Sequence, residues 1–205
     1  MSTRFLTVFF VFALFGISFQ LKAQEPLGMV VDVQGAVTAV DAGKSSRVEM
    51  LSYLKPGMDV DLAAGSNLTV TWYADSKEFK FSGPSKLKVT PQRILVVQGA
   101  GASARSLGEE KVAAGKAGMP GRLAQATIMM RSMKPASEPP SPELTRAEQD
   151  RLAKLKPGAG AGFSDWLLYA LALEELKQTA EARAVWKKLA AERPDEPKLR
   201  HYAER

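Results

Sequence analysis

The chain has no cysteine and one histidine among its 205 residues. The absence of cysteine excludes disulfide bonds, thiolate metal sites and cysteine nucleophiles. The histidine, His201, lies close to the end of the sequence, where chains are often frayed, so neither a histidine-rich zinc site nor a Ser–His–acid triad is expected. We therefore expect no enzyme activity, no catalytic residues, no metal and no cofactor.

A concentrated basic region is also missing. The net charge is +6, from 28 basic and 22 acidic residues. These charges are spread evenly, since residues 24–133 carry 13 basic and 10 acidic side chains and residues 134–205 carry 13 and 12. Nucleic-acid binding usually needs a basic stripe or tail. We expect no nucleic-acid partner.

The first 23 residues have the pattern of an export signal. Arg4 precedes an apolar run from Phe5 to Phe19, and Leu21-Lys22-Ala23 ends on a small residue suited to cleavage. The run is shorter than the ~20 residues that a membrane-spanning helix needs. The pattern predicts a signal helix in residues 1–23, a periplasmic or secreted protein, and no membrane span after signal cleavage. An uncleaved signal anchor is the alternative interpretation.

Residues 27–98 show short β-rich runs separated by turns, with no helical run between them. Lys55-Pro56-Gly57-Met58 predicts a turn in which glycine takes a positive φ. In one strand apolar and polar residues alternate, which predicts one buried face and places Trp72 and Tyr73 on opposite faces, one of them exposed. Strands at this spacing are typical of an all-β sandwich or roll.

Four motifs of this region resemble the FecR-type extracytoplasmic domain. They are Gly35 to Val37, Leu54 to Val60, Gly65 to Val70 and Gly83 to Val89. The founding regulators of that family place a sigma-factor-binding segment and a membrane span before the domain. Here the apolar segment stands at the start of the chain, so an anti-sigma role is not expected. The resemblance implies an extracytoplasmic β-module that contacts proteins or envelope components.

The segments after the β-domain have linker composition. Residues 99–121 hold six glycines and six alanines among 23 positions, which predicts flexibility. Thr127 to Arg131 is a candidate last strand, so we place the β-domain at 27–133 with a core at 27–98. Residues 134–142 contain four prolines and predict an extended spacer at a domain boundary.

Residues 143–205 predict a small helical tail. Thr145-Arg146-Ala147-Glu148 is a capping box, and the helix it starts is expected to stop at Pro157. Residues 163–196 resemble a tetratricopeptide (TPR) repeat, which is a hairpin of two helices. The resemblance rests on the spacing of Trp166, Ala170, Leu173, Ala182, Trp186, Leu189 and Pro194. Lys177 departs from it, because this turn position is usually glycine.

A single repeat does not bury its own apolar face, so the tail either packs on the β-domain or binds a partner. The TPR resemblance implies that the first helix lines a binding groove. Its candidate protein-binding residues are Leu167, Leu171, Glu174 and Glu175. The alternative is that the Leu144–Leu155 helix covers this face, and the sequence leaves the two open.

Two sets of charged residues in the β-domain are candidate binding or catalytic sites. Lys80, Lys86 and Lys88 are expected to share the outer face of two neighbouring strands and are candidate polyanion-binding residues. Asp59 and Asp61 share one face of a strand, where a solvated acidic surface is the preferred interpretation over a carboxylate pair of an acid-only hydrolase.

The whole chain is thus expected to be α+β: a FecR-like all-β sandwich or roll followed by an all-α TPR-like tail. The leading hypothesis is a non-enzymatic extracytoplasmic adaptor or scaffold that binds proteins of the bacterial envelope through both parts. The alternative is an envelope polysaccharide- or lipid-binding module that uses the three lysines. An enzyme ranks third.

The export-signal pattern gives the first testable prediction. Exported protein should begin near Gln24, because Ala23 ends the segment suited to cleavage. N-terminal sequencing of exported material measures this directly. An intact Met1 in the membrane fraction would support the signal-anchor interpretation instead.

Overall fold

The computed structural model describes residues 25–117 and 141–205. The predicted signal, the candidate strand Thr127–Arg131 and residues 134–140 of the predicted spacer lie outside the described residues. The described part has an α+β fold with two antiparallel sheets of five strands each and five helices. None of the helices described is long and apolar enough to cross a membrane.

The strands are β1 (Gly28–Gln34), β2 (Val37–Asp41), β3 (Lys44–Arg47), β4 (Tyr53–Leu54), β5 (Asp59–Leu62), β6 (Asn67–Trp72), β7 (Lys77–Ser82), β8 (Ser85–Val89), β9 (Ile94–Gln98) and β10 (Ser103–Ser106). The helices are α1 (Glu109–Ala117), α2 (Arg146–Leu155), α3 (Phe163–Glu175), α4 (Thr179–Glu192) and α5 (Pro197–Glu204). Residues 27–98, all of them described, contain strands and turns and no helix, as the sequence predicts.

Sheet 1 has the strand order β10-β7-β6-β1-β4, and sheet 2 has the order β3-β2-β5-β8-β9. Alternate residues of the strands in the two sheets share one apolar core. Its buried members include Val30, Leu68, Val70 and Phe81 from sheet 1 and Val37, Ala39, Val60, Leu62, Leu87 and Val89 from sheet 2. The side-chain alternation visible in the sequence therefore defines the interior of a two-sheet sandwich.

Two glycines adopt the backbone conformation that their turns require. Gly57 has a φ of +88°, as predicted for the turn before β5. Gly35, between β1 and β2, has a φ of +80°, and a Cβ there would lie 2.7 Å from Ser66 Oγ. That hydroxyl donates to the Ala36 carbonyl at 2.9 Å. A side chain at Gly35 would therefore strain the turn and displace this hydrogen bond.

Both faces of β6 are buried, which corrects one prediction. The sequence indicated one covered face, with Trp72 and Tyr73 divided between core and solvent. Trp72 is fully buried and Tyr73 is only 7% exposed, because helices cover the second face. The Tyr73 hydroxyl donates to the Gly115 carbonyl at 3.2 Å, and burial raises the pKa of Tyr73 above its ordinary value. Tyr73 is therefore a packing residue.

The glycine- and alanine-rich segment also differs from its prediction. Residues 103–117 contain β10 and α1 instead of a flexible linker. A Cβ built at Gly115 would lie 3.4 Å from the Tyr73 ring and 3.5 Å from Leu168. Small residues here let α1 approach sheet 1 and α3 closely, so the composition reflects tight packing.

The capping box at Thr145 and the packed helical hairpin are both present, as the sequence predicts. Thr145 Oγ1 accepts from the Glu148 amide at 3.3 Å, and the Glu148 carboxylate accepts from the Thr145 amide at 2.8 Å, which completes the capping box. Helices α3 and α4 pack on each other with Ala170, Ala182, Trp186 and Leu189 fully buried at their contact. The Trp186 ring stacks on Tyr202 of α5 with centroids 4.6 Å apart. The three helices after α2 therefore form one packed layer.

Lys177, in the α3–α4 turn, gives a stability prediction. Its φ is +56°, a left-handed conformation that costs a non-glycine residue about 1–2 kcal/mol. Glycine adopts it freely but loses more entropy on folding, about 0.5–1 kcal/mol. Lys177→Gly should therefore raise the free energy of unfolding, measured by urea denaturation, by up to about 1 kcal/mol.

The matched control is Lys187→Gly on the exposed side of α4. It should lower the free energy of unfolding by about 1 kcal/mol, because glycine is a poor residue in a helix interior. Equal losses in the two variants would contradict the strain assigned to Lys177.

Candidate binding cleft between the sandwich and the helices

One row of side chains crosses the outer face of sheet 1. Arg105, Glu78, Thr71 and Met29 lie opposite one another on β10, β7, β6 and β1. Helix α1 packs against β6, and α3 packs against both α1 and β1. The helices thus lie over this row. On sheet 2 the outward side chains, such as those of Lys86 and Lys88, remain exposed.

A cluster of charges joins the sandwich to α1 and α3. The Arg105 guanidinium donates to both oxygens of Glu78, at 2.6 and 3.0 Å. The same guanidinium donates to the Asp165 carboxylate at 3.2 Å and to Ser164 Oγ at 2.9 Å. Lys111 Nζ donates to Asp165 Oδ1 at 2.5 Å. We call these five residues the Arg105 cluster.

The acidic members of the Arg105 cluster are removed from water. Glu78 is 8% exposed and Asp165 is 6% exposed, whereas the Arg105 side chain keeps 43% of its surface accessible. Burial alone would raise the pKa of Asp165, but the hydrogen bonds from Lys111 and Arg105 outweigh it and hold the pKa below its ordinary value. The hydrogen bond to Glu78 raises the pKa of Arg105. The cluster therefore holds the first turn of α3 against sheet 1 through charge-assisted hydrogen bonds.

A second set of contacts holds the corner between α4 and α5 against the sandwich. Arg193 Nη2 lies 3.5 Å from Asp32 Oδ2 of β1, and its guanidinium lies 5.0 Å from the centre of the Phe163 ring. Lys198 Nζ donates to the Met50 carbonyl at 3.1 Å and lies 3.1 Å from Glu49 Oε2. The corner is thus tied to β1 and to the loop after β3.

A cleft of about 580 Å³ lies beside these contacts. One wall is the end of β1, the following turn and the end of β3; the other wall is the α4–α5 corner. The lining residues are Val33, Gln34, Gly35, Arg47, Val48, Glu49 and Glu192 to Lys198. This volume lies within the range of about 300–1,000 Å³ that is typical of ligand sites. The cleft therefore presents charges of both signs from two separate parts of the chain.

Glu196 is the lining carboxylate with a perturbed titration. Burial raises its pKa, the nearby charges of Glu49 and Asp32 raise it further, and Arg47 and Lys198 oppose the shift. A cationic group placed in the cleft would stabilise the charged form of Glu196. The cleft therefore favours a cationic ligand group next to Glu196.

The predicted docking face of α3 is closed. Leu167 is fully buried and Leu171 is 2% exposed, because α1 and α2 pack on α3. Glu174 accepts from Trp186 Nε1 at 3.1 Å, and Glu175 accepts from Arg151 of α2 at 2.7 Å. The two leucines therefore belong to the core, and the covering-helix alternative describes this face.

The three candidate polyanion-binding lysines do not share a face, which corrects the sequence prediction. Lys80 lies on β7 in sheet 1, whereas Lys86 and Lys88 lie on β8 in sheet 2. The register places Lys86 opposite Asp61 and Lys88 opposite Asp59, with Lys88 Nζ 3.8 Å from the Asp59 carboxylate. Lys88 and Asp59 thus form a cross-strand ion pair on an exposed surface, and Asp61 lies opposite Lys86 on the same two strands.

The sequence did not predict the Arg105 cluster. Arg105 sits in the segment interpreted as a linker, and Glu78 occupies an ordinary polar position of an alternating strand. Asp165 carried the one readable signal, because an acidic residue in the first turn of a helix is a capping pattern. Its carboxylate does accept from the Gly162 amide at 3.3 Å. The partners on β7, β10 and α1 were not readable from spacing.

Comparison of the chain with protein-family models, with curated proteins and with solved structures finds no match. The fold and the cleft define an α+β protein in which a two-sheet sandwich is covered on one side by helices. These comparisons identify neither a FecR-like domain nor a TPR-like tail, and both likenesses remain predictions from sequence motifs.

Asp165 gives a prediction for stability and its dependence on pH. Asp165→Asn should lower the free energy of unfolding at neutral pH by about 1.5–3 kcal/mol, the contribution typical of hydrogen bonds to charged groups. The folded-state pKa of Asp165 lies below the unfolded value of about 3.9. The stabilisation is therefore complete above about pH 4 and is lost as the pH falls through the folded-state pKa.

Urea denaturation at neutral and acidic pH measures both effects. The difference between the parent protein and Asp165→Asn should shrink as the pH falls below about 4. Asp150→Asn, a change at an exposed position of α2, should have little effect at either pH. A stability difference for Asp165→Asn that does not change with pH would show that the lost stabilisation is not ionic.

Proposed function

We propose that the protein is a non-enzymatic extracytoplasmic adaptor that takes a polypeptide segment of a partner protein into the cleft between the sandwich and the α4–α5 corner. The observation that carries this proposal is the origin of the two walls. One comes from the sandwich and the other from the helices, and they are tied together by Arg193 and Lys198. A ligand that contacts both walls therefore binds only when the helices are packed on the sandwich.

The chemistry of the lining supports a polypeptide ligand. The lining combines charges of both signs, from Arg47, Glu49, Asp195, Glu196 and Lys198, with the apolar side chains of Val33, Val48, Pro194 and Pro197. Specific protein interfaces combine such a polar rim with a limited apolar centre. The extracytoplasmic location is proposed from the signal pattern of residues 1–23.

An enzyme and a polyanion-binding module have less support. In the described residues, the aspartate pair of β5 lies on the open face of sheet 2 beside lysines. Lys80 stands on the other sheet, so no described surface brings the three candidate lysines together. The cleft is the better-supported site.

Site-specific photocrosslinking tests the proposed function. A benzoylphenylalanine residue replaces exposed Asp195 at the cleft, or exposed Lys86 on the open face as the matched control. Irradiation of living cells should join the Asp195 variant, and not the Lys86 variant, to a discrete protein. Mass spectrometry identifies the product.

Charge reversal at the opposite wall sharpens this test. We propose that an acidic group of the bound segment pairs with Arg47 and a basic group pairs with Glu196. Arg47→Glu in the Asp195 variant should therefore reduce the crosslink by about tenfold or more, because it opposes the acidic group. Equal crosslinking from both positions, or a product that survives Arg47→Glu, would contradict binding in the cleft. Thermal denaturation of the Arg47→Glu protein confirms that it remains folded.

A further inference from the structure

Strand β9 is an edge strand of sheet 2. It pairs with β8 through Val89–Ile94, Lys88–Leu95 and Leu87–Val96, and no described strand lies on its other side. Backbone N–H and C=O groups along the free side of an edge strand are able to pair with another strand.

The composition of β9 leaves this edge unprotected. Its sequence is Ile-Leu-Val-Val-Gln, with no charged residue. Ile94, Leu95 and Val96 are half-buried, and Val97 is 67% exposed. Val97 is the one large hydrophobic side chain that is strongly exposed among residues 25–117 and 141–205. An apolar, uncharged edge is a recognised site of strand addition.

The other sheet edges in the described part of the chain carry protection. Strand β3 contains Lys44 and Arg47, β10 contains Arg105, and β4 is only two residues long. Charged side chains and short length are the usual ways in which proteins prevent edge pairing. Strand β9 is therefore the one described edge strand of more than two residues that has no charged side chain.

We propose that β9 pairs antiparallel with β9 of a second copy of the chain, centred on Val96. In this register Leu95 faces Val97 of the other copy, and Arg93 faces Gly99. Among the described edge strands longer than two residues, the β9–β9 pair is the one combination that brings no charged strand residue into the new ladder and sets no like charges opposite each other. Because the same strand is used on both sides, the contact is two-fold symmetric and closes as a dimer.

The short strand sets the strength of this dimer. A ladder of five residues on each side buries less than the roughly 1,200 Å² that stable interfaces reach. The dimer is therefore weak and reversible, with a dissociation constant in the micromolar to millimolar range. It does not involve the cleft and stands independently of the proposed function.

Sedimentation velocity from micromolar to millimolar concentration tests the dimer. The parent protein should shift from monomer to dimer as its concentration rises. Val97→Lys should weaken the dimer by about tenfold or more, because it brings two charges into an apolar strand pair. Ser45→Lys, which adds the same charge to the β3 edge, should leave it unchanged. The parent and the two variants begin at the same residue, so they differ only at the substituted edge strand.

Hydrogen exchange locates the contact. Protection of the amides of residues 94–98 should rise with concentration in the parent and the Ser45→Lys protein, and not in Val97→Lys. A monomer throughout the concentration range, or a dimer equally affected by the two lysines, would overturn the proposal. An unchanged melting temperature for Val97→Lys shows that any loss of dimer does not come from unfolding.

Discussion

The Arg105 guanidinium is the point at which the sandwich and the helices depend on each other. Its planar set of donors reaches Glu78 from the same sheet and Asp165 from α3 at once, a geometry that a lysine would not provide. Lys111 supplies a second positive charge beside Asp165, which helps to hold the pKa of that buried carboxylate below its ordinary value. A shift of α3 would separate these partners and leave a buried charge unpaired, which is strongly unfavourable. The start of α3 therefore has one favoured position on sheet 1.

Placement of the helices on sheet 1 decides which surfaces remain for binding. The face of α3 that a free helical hairpin would offer is covered, with Leu171 inside the core. The helices leave the open face of sheet 2, its β9 edge and the cleft at the α4–α5 corner. The open face neutralises its own charges across β5 and β8, as Lys88 and Asp59 show. In the part of the chain that the structure describes, the cleft and the β9 edge are therefore the two surfaces proposed to bind a partner, one polar and the other apolar.

Predictions that rest on neighbouring residues succeeded. The turn at Gly57, the capping box at Thr145 and the inward positions of Leu68 and Val70 depend on dihedral preference and on side-chain period, which operate over a few residues. Predictions about surfaces failed more often. One of Trp72 and Tyr73 was expected to be exposed, because period two separates the faces of a strand and does not say what lies against each one.

The sequence by itself determined the all-β character of residues 27–98, the inward face of the sandwich and the α3–α4 hairpin, since each follows from local periodicity and backbone preference. Only the tertiary structure decided that glycine and alanine in α1 serve close packing, that Lys80 is separated from Lys88, and that Asp165 meets Arg105. Each of these depends on contacts between residues far apart in the chain. Spacing along a sequence carries no information about such pairs until strand order and helix placement are known.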